Sequence, residues 1–258
     1  MGSEQAQGPV WARDVAKRRT KLTREAIVAA AIEIADAEGV DAVSIRRVAA
    51  ELGARAMSLY THIERKEDLL DLMADEANAE ILIEGELPGD WREAISAITR
   101  RTREVIRRHP WLVDLVSRRS QVGPNGLRHG EQSLAALAPL RIAPEWKWRI
   151  IAAVDDYALG FVIREVMQRE GTRRYAWTKE ERDALMQPYL RELVDSGEFP
   201  NLAPLLAGDA LGAPDAPDVS GDSGVSGAGE EADRGADDDF ERGLRWMLDG
   251  IAGDLPTW

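Results

Sequence analysis

The chain has no cysteine and only three histidines among its 258 residues. Without thiols there can be no disulfide, no thiolate nucleophile and no thiolate metal ligand. His62, His109 and His129 are far apart in the sequence, so we expect no metal and no other cofactor. No apolar run reaches the ~18 residues of a membrane span, and residues 1–10 lack the apolar stretch of a signal peptide. We therefore expect a cytoplasmic protein with no membrane partner.

Strand patterns are also missing, because apolar and polar residues do not alternate over any sustained stretch between turn signals. Helical periodicity runs through most of the chain instead. With 44% hydrophobic residues and eight tryptophans, the chain can bury a substantial core. No glycine-rich phosphate loop and no nucleophile–base pair emerges, which argues against an enzyme. The sequence predicts an all-α protein.

The net charge of −13 is unevenly distributed along the chain. Residues 1–66 carry 11 basic and 9 acidic residues, whereas the rest of the chain is strongly acidic. Six basic residues fall within 11–24, among them Arg18, Arg19 and Lys21. A cluster of this kind is typical of a flexible arm that contacts nucleic-acid phosphates or enters a minor groove. The alternative is an ordinary solvated tail.

Residues 44–63 read as two short helices joined by a tight turn, the arrangement that places a helix in a DNA groove. Ser44 is an N-cap, and Gly53 ends the first helix where a positive φ is expected. Leu59 is placed to pack inward, and Arg55, Ser58, Tyr60 and His62 are left to face outward. A longer helix capped by Thr23 precedes this unit and ends at Gly39, and another begins at Lys66. The alternative interpretation is a plain helical hairpin on a surface.

The run from Leu22 to Met73 resembles the DNA-binding domain of the tetracycline-repressor (TetR) family. Two departures from the family pattern occur: Ile63 stands where Phe is frequent, and Arg65, where Ser or Asn is frequent, adds a cation near the phosphates. The matching stretches are Gly39–Val40, Ser44–Ala49, Leu52–Gly53, Leu59–His62 and Lys66–Leu70.

This resemblance implies two sets of DNA contacts in addition to the arm. Arginine can bridge the O6 and N7 atoms of guanine, and methionine or alanine can touch a thymine methyl group. The residues expected near base edges are Arg46, Arg55, Ala56, Met57 and Ser58. The residues expected to hold phosphates and fix the register are Ser44, Tyr60, His62 and Lys66.

The chain divides into a basic arm (1–21), a DNA-binding domain (22–70) and a larger helical domain (71–258). Residues 207–239 hold ten acidic residues, seven glycines and no aromatic residue, which predicts a disordered acidic loop that ends before Phe240. The expected helices of the larger domain cover 91–108, 111–119, 125–138, 145–170, 178–194 and 240–252.

The larger domain resembles the family's tetracycline-repressor-like C-terminal class. The matching stretches are Arg108–Trp111, Gly123–Asn125, Tyr157–Phe161, Phe199–Leu202 and Asp239–Gly250. The resemblance implies a homodimer whose C-terminal domains meet in a four-helix bundle, with a ligand cavity in each. Leu82 and Val116 stand where the tetracycline binders have histidines, so nothing here supports a magnesium–tetracycline ligand. The expected dimer contacts are Phe161, Phe240, Leu244, Met247, Leu248 and Ile251.

Asp155 and Asp156 interrupt an apolar helix, and at least one of them should meet buried surroundings. One interpretation is an ion pair with Arg149, Arg128 or Arg119. The other is a polar anchor in an otherwise apolar ligand pocket, where the many tryptophans would suit a flat aromatic ligand. The pocket residues expected are Trp111, His129, Gln132, Ser133, Trp148, Ile151, Asp155 and Asp156.

These observations predict a repressor that binds a palindromic DNA operator as a homodimer and is released by a small aromatic or hydrophobic molecule, such as an antibiotic or other natural product. An efflux gene is one kind of target that fits such a ligand. Two other functions remain open at this point. One is a DNA-binding regulator without a ligand, its cavity filled by tryptophan, and the other is an all-helical enzyme acting on a small molecule.

Overall fold

The structure, a computed structural model, describes residues 22–116, 123–175, 179–207 and 227–255. Within these residues there is no strand, and the predicted all-α class is confirmed. The helices are α1 (Arg24–Glu38), α2 (Ile45–Glu51), α3 (Ala56–Leu59), α4 (Lys66–Ile81), α5 (Trp91–Arg108), α6 (Leu112–Val116), α7 (Pro124–Ala136), α8 (Pro144–Tyr175), α9 (Lys179–Asp195), α10 (Ala203–Ala207) and α11 (Gly227–Asp254), with a 3-10 turn at Val40–Ala42.

Short-range capping sets the ends of the N-terminal helices. The Thr23 hydroxyl accepts a hydrogen bond from the Ala26 amide at 3.2 Å and begins α1. Gly39, with φ of +86°, ends that helix. Gly53, with φ of +60°, turns the chain between α2 and α3. The predicted caps at Thr23 and Ser44 and the predicted turns at Gly39 and Gly53 are confirmed.

Capping also sets the bounds of α5. The Asp90 carboxylate accepts from the amides of Arg92 at 2.8 Å and Glu93 at 3.2 Å. The helix ends at Arg108, because Pro110 has no amide hydrogen to continue the ladder. The prediction for 91–108 is therefore confirmed at both ends.

Two hydrophobic clusters form the core. The first joins the inward faces of α1, α2 and α3 to α4, and continues without a break to α5, α6 and Val162 of α8. The second lies in the larger domain and joins α5, α7, α8 and α11 around Ile95, Leu137, Val154 and Leu244. The helix α4 therefore belongs to both parts of the molecule, since it packs against α1 and also against α7 and α5.

The structure corrects the prediction of a disordered acidic loop at residues 207–239. The loop is expected to extend to residue 239, yet α11 already begins at Gly227. A contact of α11 explains part of the difference, because Asp237 pairs with Arg103 of α5 at 2.8 Å and thereby ties the first half of α11 to the body. Composition alone shows the charge but not the arginine 134 positions away that receives it. Residues 208–226 lie outside the described residues.

Candidate functional site

The short helix α3 presents an exposed face to solvent. Leu59 is completely buried and fixes the helix against the first core cluster. Arg55, Met57, Ser58 and Tyr60 consequently face solvent. Met57 is 75% exposed, an unusual position for a large apolar side chain. The face combines a cation, hydroxyl groups and a thioether, which suits readout of the edges of DNA bases.

Two adjacent arginines of α2 have different surroundings. The guanidinium of Arg47 bonds to Glu38 at 2.9 Å and to Glu51 at 2.7 Å, so two carboxylates neutralise it. Arg46 is exposed, and among the described residues its guanidinium has no hydrogen-bond or ion-pair partner. Arg55 is likewise exposed and unpaired within the described chain. The structure thus distinguishes Arg47, which is held by carboxylates of its own chain, from Arg46 and Arg55, whose guanidinium groups remain available to a ligand.

The predicted phosphate contacts flank this face. The Ser44 hydroxyl accepts from the Arg47 amide at 3.2 Å and keeps its own hydrogen to donate. Lys66 is the first residue of α4 and is half-buried, as is His62. Arg65, the expected extra cation, donates to Asp68 at 2.9 Å while its side chain stays 70% exposed, so its contact with phosphate stays a prediction.

Four further predicted DNA contacts complete the set. Ala56 begins α3 and is half-buried, with its methyl group beside the exposed Met57. Arg18, Arg19 and Lys21 lie outside the described residues.

A buried polar cluster joins the head to the body. The His109 ring is nearly inaccessible, with its Nδ1 2.7 Å from Asp36 of α1 and its Nε2 3.1 Å from Glu80 of α4. Carboxylates only accept, so each of these contacts is a hydrogen bond where the ring nitrogen carries the hydrogen. Burial tends to raise the pKa of Glu80, but hydrogen bonds and charge from His109 and Arg108 outweigh it and lower that pKa.

Trp111 belongs to this cluster and not to a ligand pocket. Its indole nitrogen donates to Asp36 at 2.6 Å, and the ring lies in the first core cluster. The prediction that Trp111 lines the ligand site is therefore corrected. An aromatic residue at the start of a helix gives no sign of which element it will pack on, and here the decisive partner is 75 positions earlier.

A second contact ties α7 to α4. The Asp75 carboxylate accepts from the amides of Asn125 at 2.9 Å and Gly126 at 3.1 Å, and so caps the N-terminus of α7. The Asn125 side chain donates back to the Asp75 carbonyl at 3.1 Å. A Cβ atom at Gly123 would overlap the Asp75 carboxylate, so glycine is required by this close approach. Sequence reasoning missed Asp75, which is separated from its partners by 50 residues.

The predicted ligand residues on α7 differ in how far they are engaged. Gln132 accepts from the Ile83 amide at 3.1 Å and donates to the Ile83 carbonyl at 2.8 Å, so its whole amide is occupied by the α4–α5 connection. Ser133 is buried. The Nε2 atom of His129 is buried without a hydrogen-bond partner among the described residues, and burial lowers the pKa of the ring. Of these three, His129 has the clearest unused polar group.

On α8, Ile151 lies in the second core cluster, whereas Trp148 is 56% exposed and covers Gly130 of α7. Trp148 is therefore placed at the surface of the domain. Asp156 is exposed. Asp155 is half-buried, and burial together with the Asp156 charge raises its pKa to about 7.

Neither Arg128 nor Arg149 pairs with the carboxylates of Asp155 and Asp156. Arg128 donates to Asn125 at 2.7 Å, and Arg149 stacks on Trp146 with 4.9 Å between guanidinium and ring centre. Arg119 lies outside the described residues. Within the described chain, the Asp155 carboxyl has no hydrogen bond and no ion pair, which leaves the polar-anchor interpretation in place.

The predicted dimer residues mostly pack within their own chain. Phe240, Leu244 and Leu248 are at most 3% exposed, and Phe161 is 9% exposed. Met247 and Ile251 are half-buried against the same cluster. The prediction is corrected for the four buried residues, since a stripe of helical periodicity does not tell an internal contact from an external one. The exposed residues of the same helices include Gly160, Met167 and Trp246.

No group of three or more metal-ligating side chains is brought together in the described part of the chain. No described helix has the length and hydrophobicity to cross a bilayer.

Comparison with known proteins agrees with this architecture. The model of bacterial regulatory proteins of the tetR family matches residues 27–73, and that of the tetracyclin repressor-like C-terminal domain matches residues 84–216. The chain belongs to the TetR family. It is a transcriptional repressor of that family and not an enzyme.

Three relatives illustrate the similarity. The HTH-type transcriptional repressor DrrR1 of Streptomyces coeruleorubidus is 37% identical over 71% of this chain and 68% of its own. An HTH-type transcriptional regulator of Saccharopolyspora erythraea is 40% identical over 66% of this chain and 75% of its own. The TetR family protein ActR of Streptomyces coelicolor, solved in complex with actinorhodin, has a TM-score of 0.68 and 27% identity, covering 92% of this chain and 99% of that one.

Proposed function

We propose that this TetR-family repressor acts in the cytoplasm, where it binds a palindromic operator as a homodimer and is released by a small aromatic or hydrophobic molecule. DNA binding is supported by one observation above all, namely which arginines of the head form ion pairs and which do not. Arg46 and Arg55 are exposed and unpaired beside Met57, whereas Arg47 is held by two carboxylates. Free guanidinium groups next to an exposed thioether form a surface that can distinguish guanine and thymine.

The basic arm adds to this surface in the proposal. Arg18, Arg19 and Lys21 directly precede α1, which carries the head. Contacts to phosphates release counterions, so removing residues 1–20 should lower operator affinity and flatten its dependence on salt. An unchanged affinity and slope would show that the arm is only a solvated tail.

The ligand half rests on the interior of the larger domain. Asp155 and His129 keep polar groups without partners among the described residues, on two helices that both contribute to the second core cluster. Buried polar groups of native proteins are normally satisfied, so the buried Nε2 atom of His129 and the half-buried Asp155 carboxyl are candidates for bonds that a ligand supplies. The related ActR was solved with actinorhodin, which supports a cavity of this kind.

Dimerisation is assigned in the proposal to the outer faces of α8 and α11. Trp246 is 69% exposed and Met167 is 66% exposed, and Gly160 lies about two turns before Met167 on α8. Two heads joined through these helices would meet successive major grooves, about 34–36 Å apart. A ligand that favours another spacing would then weaken DNA binding by linkage.

One experiment tests the three parts together. The full-length protein is used to select operators from a randomised DNA pool, and the selected duplex is then titrated by fluorescence anisotropy with and without candidate aromatic natural products. Sedimentation velocity of wild type and Trp246→Asp gives the oligomeric state. A dimer that selects a palindrome and releases it with a ligand supports the proposal.

The outcomes separate the alternatives. A monomeric wild type would overturn the dimer, and a palindrome that no ligand releases would favour a regulator without an effector. Transcript levels with and without the repressor would show whether an efflux gene is its target.

A further inference from the structure

The two most buried basic side chains in the described part of the larger domain both lie against carboxylates. Arg103 is 7% exposed and is held by Glu165 at 2.5 Å and Asp237 at 2.8 Å. Its guanidinium also lies 4.5 Å from the centre of the Phe240 ring. The buried His109 ring is held between two carboxylates, as described above. An anionic ligand entering this interior would therefore find the buried Arg103 and His109 side chains already engaged by carboxylates.

Asp155 is in the opposite situation. It shares the inward face of α8 with Ile151, Val154 and Ala158, all of which are at most 4% exposed. Its carboxyl has no hydrogen bond and no ion pair within the described chain, and the nearest other carboxylate along the helix, Asp156, repels it. A desolvated carboxylate without a counterion is unfavourable, and an opposite charge placed beside it restores the lost stabilisation.

His129 supplies a second, independent polar group. Its Nε2 atom is buried and unpartnered among the described residues, and burial lowers the pKa of the ring, which keeps it neutral. A neutral imidazole nitrogen either donates one hydrogen bond or accepts one. It can orient a hydroxyl, carbonyl or ammonium group of a ligand, but it does not supply the charge that an anion would need.

We propose that the effector of this repressor carries an amine cation on an apolar or aromatic body, and that the Asp155 carboxylate binds that cation. This inference rests on the ligand response proposed above and names the class of ligand. The surrounding Ile151 and Val154 accommodate the apolar body, and His129 binds a further polar group. The same charge distribution disfavours ligands whose principal charge is a carboxylate.

The structure provides a matched pair of variants for the test. Asp155→Asn keeps the shape of the side chain and removes its charge from the inward face. Asp156→Asn makes the same change one residue later, on an exposed side chain. Both variants should fold, since neither carboxyl is hydrogen-bonded to another described residue, and circular dichroism of each checks this directly.

Calorimetry of the full-length protein without DNA at pH 8 compares three tricyclic probes: quinacrine, which has a side-chain amine, acridine, which is uncharged at this pH, and acridine-9-carboxylate. We expect quinacrine to bind wild type at least about tenfold more tightly than acridine, in line with one ion pair of about 1.4 kcal/mol or more. We expect the carboxylate to bind more weakly than either. The quinacrine preference should fall to about one in Asp155→Asn and persist in Asp156→Asn.

Equal binding of the three probes, tighter binding of the carboxylate, absence of quinacrine binding, or an unchanged preference in Asp155→Asn would each overturn the amine assignment. The operator titration separates this result from the broader proposal. If an uncharged or acidic compound releases the operator from wild type and from Asp155→Asn alike, the ligand response stands and the amine class is wrong.

Discussion

His109 reaches from the end of α5 to Asp36 of α1, with 2.7 Å between its Nδ1 atom and the nearer carboxylate oxygen. The pair joins the DNA-binding head to the larger domain. Because the other ring nitrogen faces Glu80 of α4, the same side chain holds three helices together. A change in the larger domain that moves α5 or α4 will therefore act on the orientation of α1.

The first prediction concerns this junction. His109→Leu should lower the free energy of unfolding by about 1–3 kcal/mol, because it removes two hydrogen bonds and leaves two carboxylates without their shared partner. Operator affinity should fall as well, since α1 loses a fixed orientation. Urea unfolding and operator titration measure the two effects. Glu104→Gln, which breaks the exposed Arg101–Glu104 pair of the same helix, should change stability by less than about 0.5 kcal/mol. A similar loss in both variants would contradict this role for His109.

The second prediction distinguishes two neighbouring arginines. Arg46→Ala should cost about 1–3 kcal/mol of operator binding and relax preference at one base pair in each half-site. Arg47→Ala should leave base preference unchanged, because its guanidinium is already bound by Glu38 and Glu51. Selection from a randomised operator pool reads out both variants. An equal loss of affinity across all operator sequences for Arg46→Ala would show that Arg46 contacts phosphate and not a base.

The third prediction uses the raised pKa of Asp155. A carboxyl that has a pKa of about 7 in the folded protein and an ordinary pKa of 3.8 in the unfolded chain destabilises the folded state increasingly as pH rises from about 4 to 7. Asp155→Asn should therefore be more stable than wild type at pH 8, by about 2–4 kcal/mol. The advantage should shrink as pH falls toward 4. Unfolding curves at several pH values measure it, and a difference independent of pH would show that the carboxyl has an ordinary pKa.

The fourth prediction concerns two glycines of α11. The Tyr157 hydroxyl donates to the Phe240 carbonyl at 2.8 Å, and a Cβ atom at Gly243 would overlap that hydroxyl. Gly243→Ala should thus lower stability by about 1–3 kcal/mol. Gly235→Ala, on the same helix with no atom within 4 Å of the added Cβ, should be neutral or stabilising by up to about 1 kcal/mol. Equal melting temperatures for the two variants would show that Tyr157 moves aside freely.

Local signals were sufficient to predict where the N-terminal helices begin and end. Thr23, Ser44 and Asp90 each cap a helix through an amide two or three residues ahead, so a short window of sequence contains the whole interaction. The inward position of Leu59 follows from the same periodicity.

Contacts between distant residues were not predictable in this way. The partner of His109 lies 73 positions earlier, and the partners of Asp75 lie 50 positions later. The apolar stripe of α11 was recognised, but periodicity does not show whether such a stripe faces its own chain or a second one. The pairing of Arg47 with Glu38 is likewise a product of the fold, and only the structure separates that arginine from Arg46.

The core that begins at Ile27 does not stop where the helix-turn-helix ends. It continues through Met73 of α4 to Trp111, Leu115 and Val162 of the larger domain. A head excised at residue 70 would expose this apolar surface to water and lose the helices that cover it. A chimaera that transplants this DNA specificity onto another regulator would therefore need to carry matching residues from α4 to α6 as well, because the part that can be exchanged is larger than the part that would meet DNA.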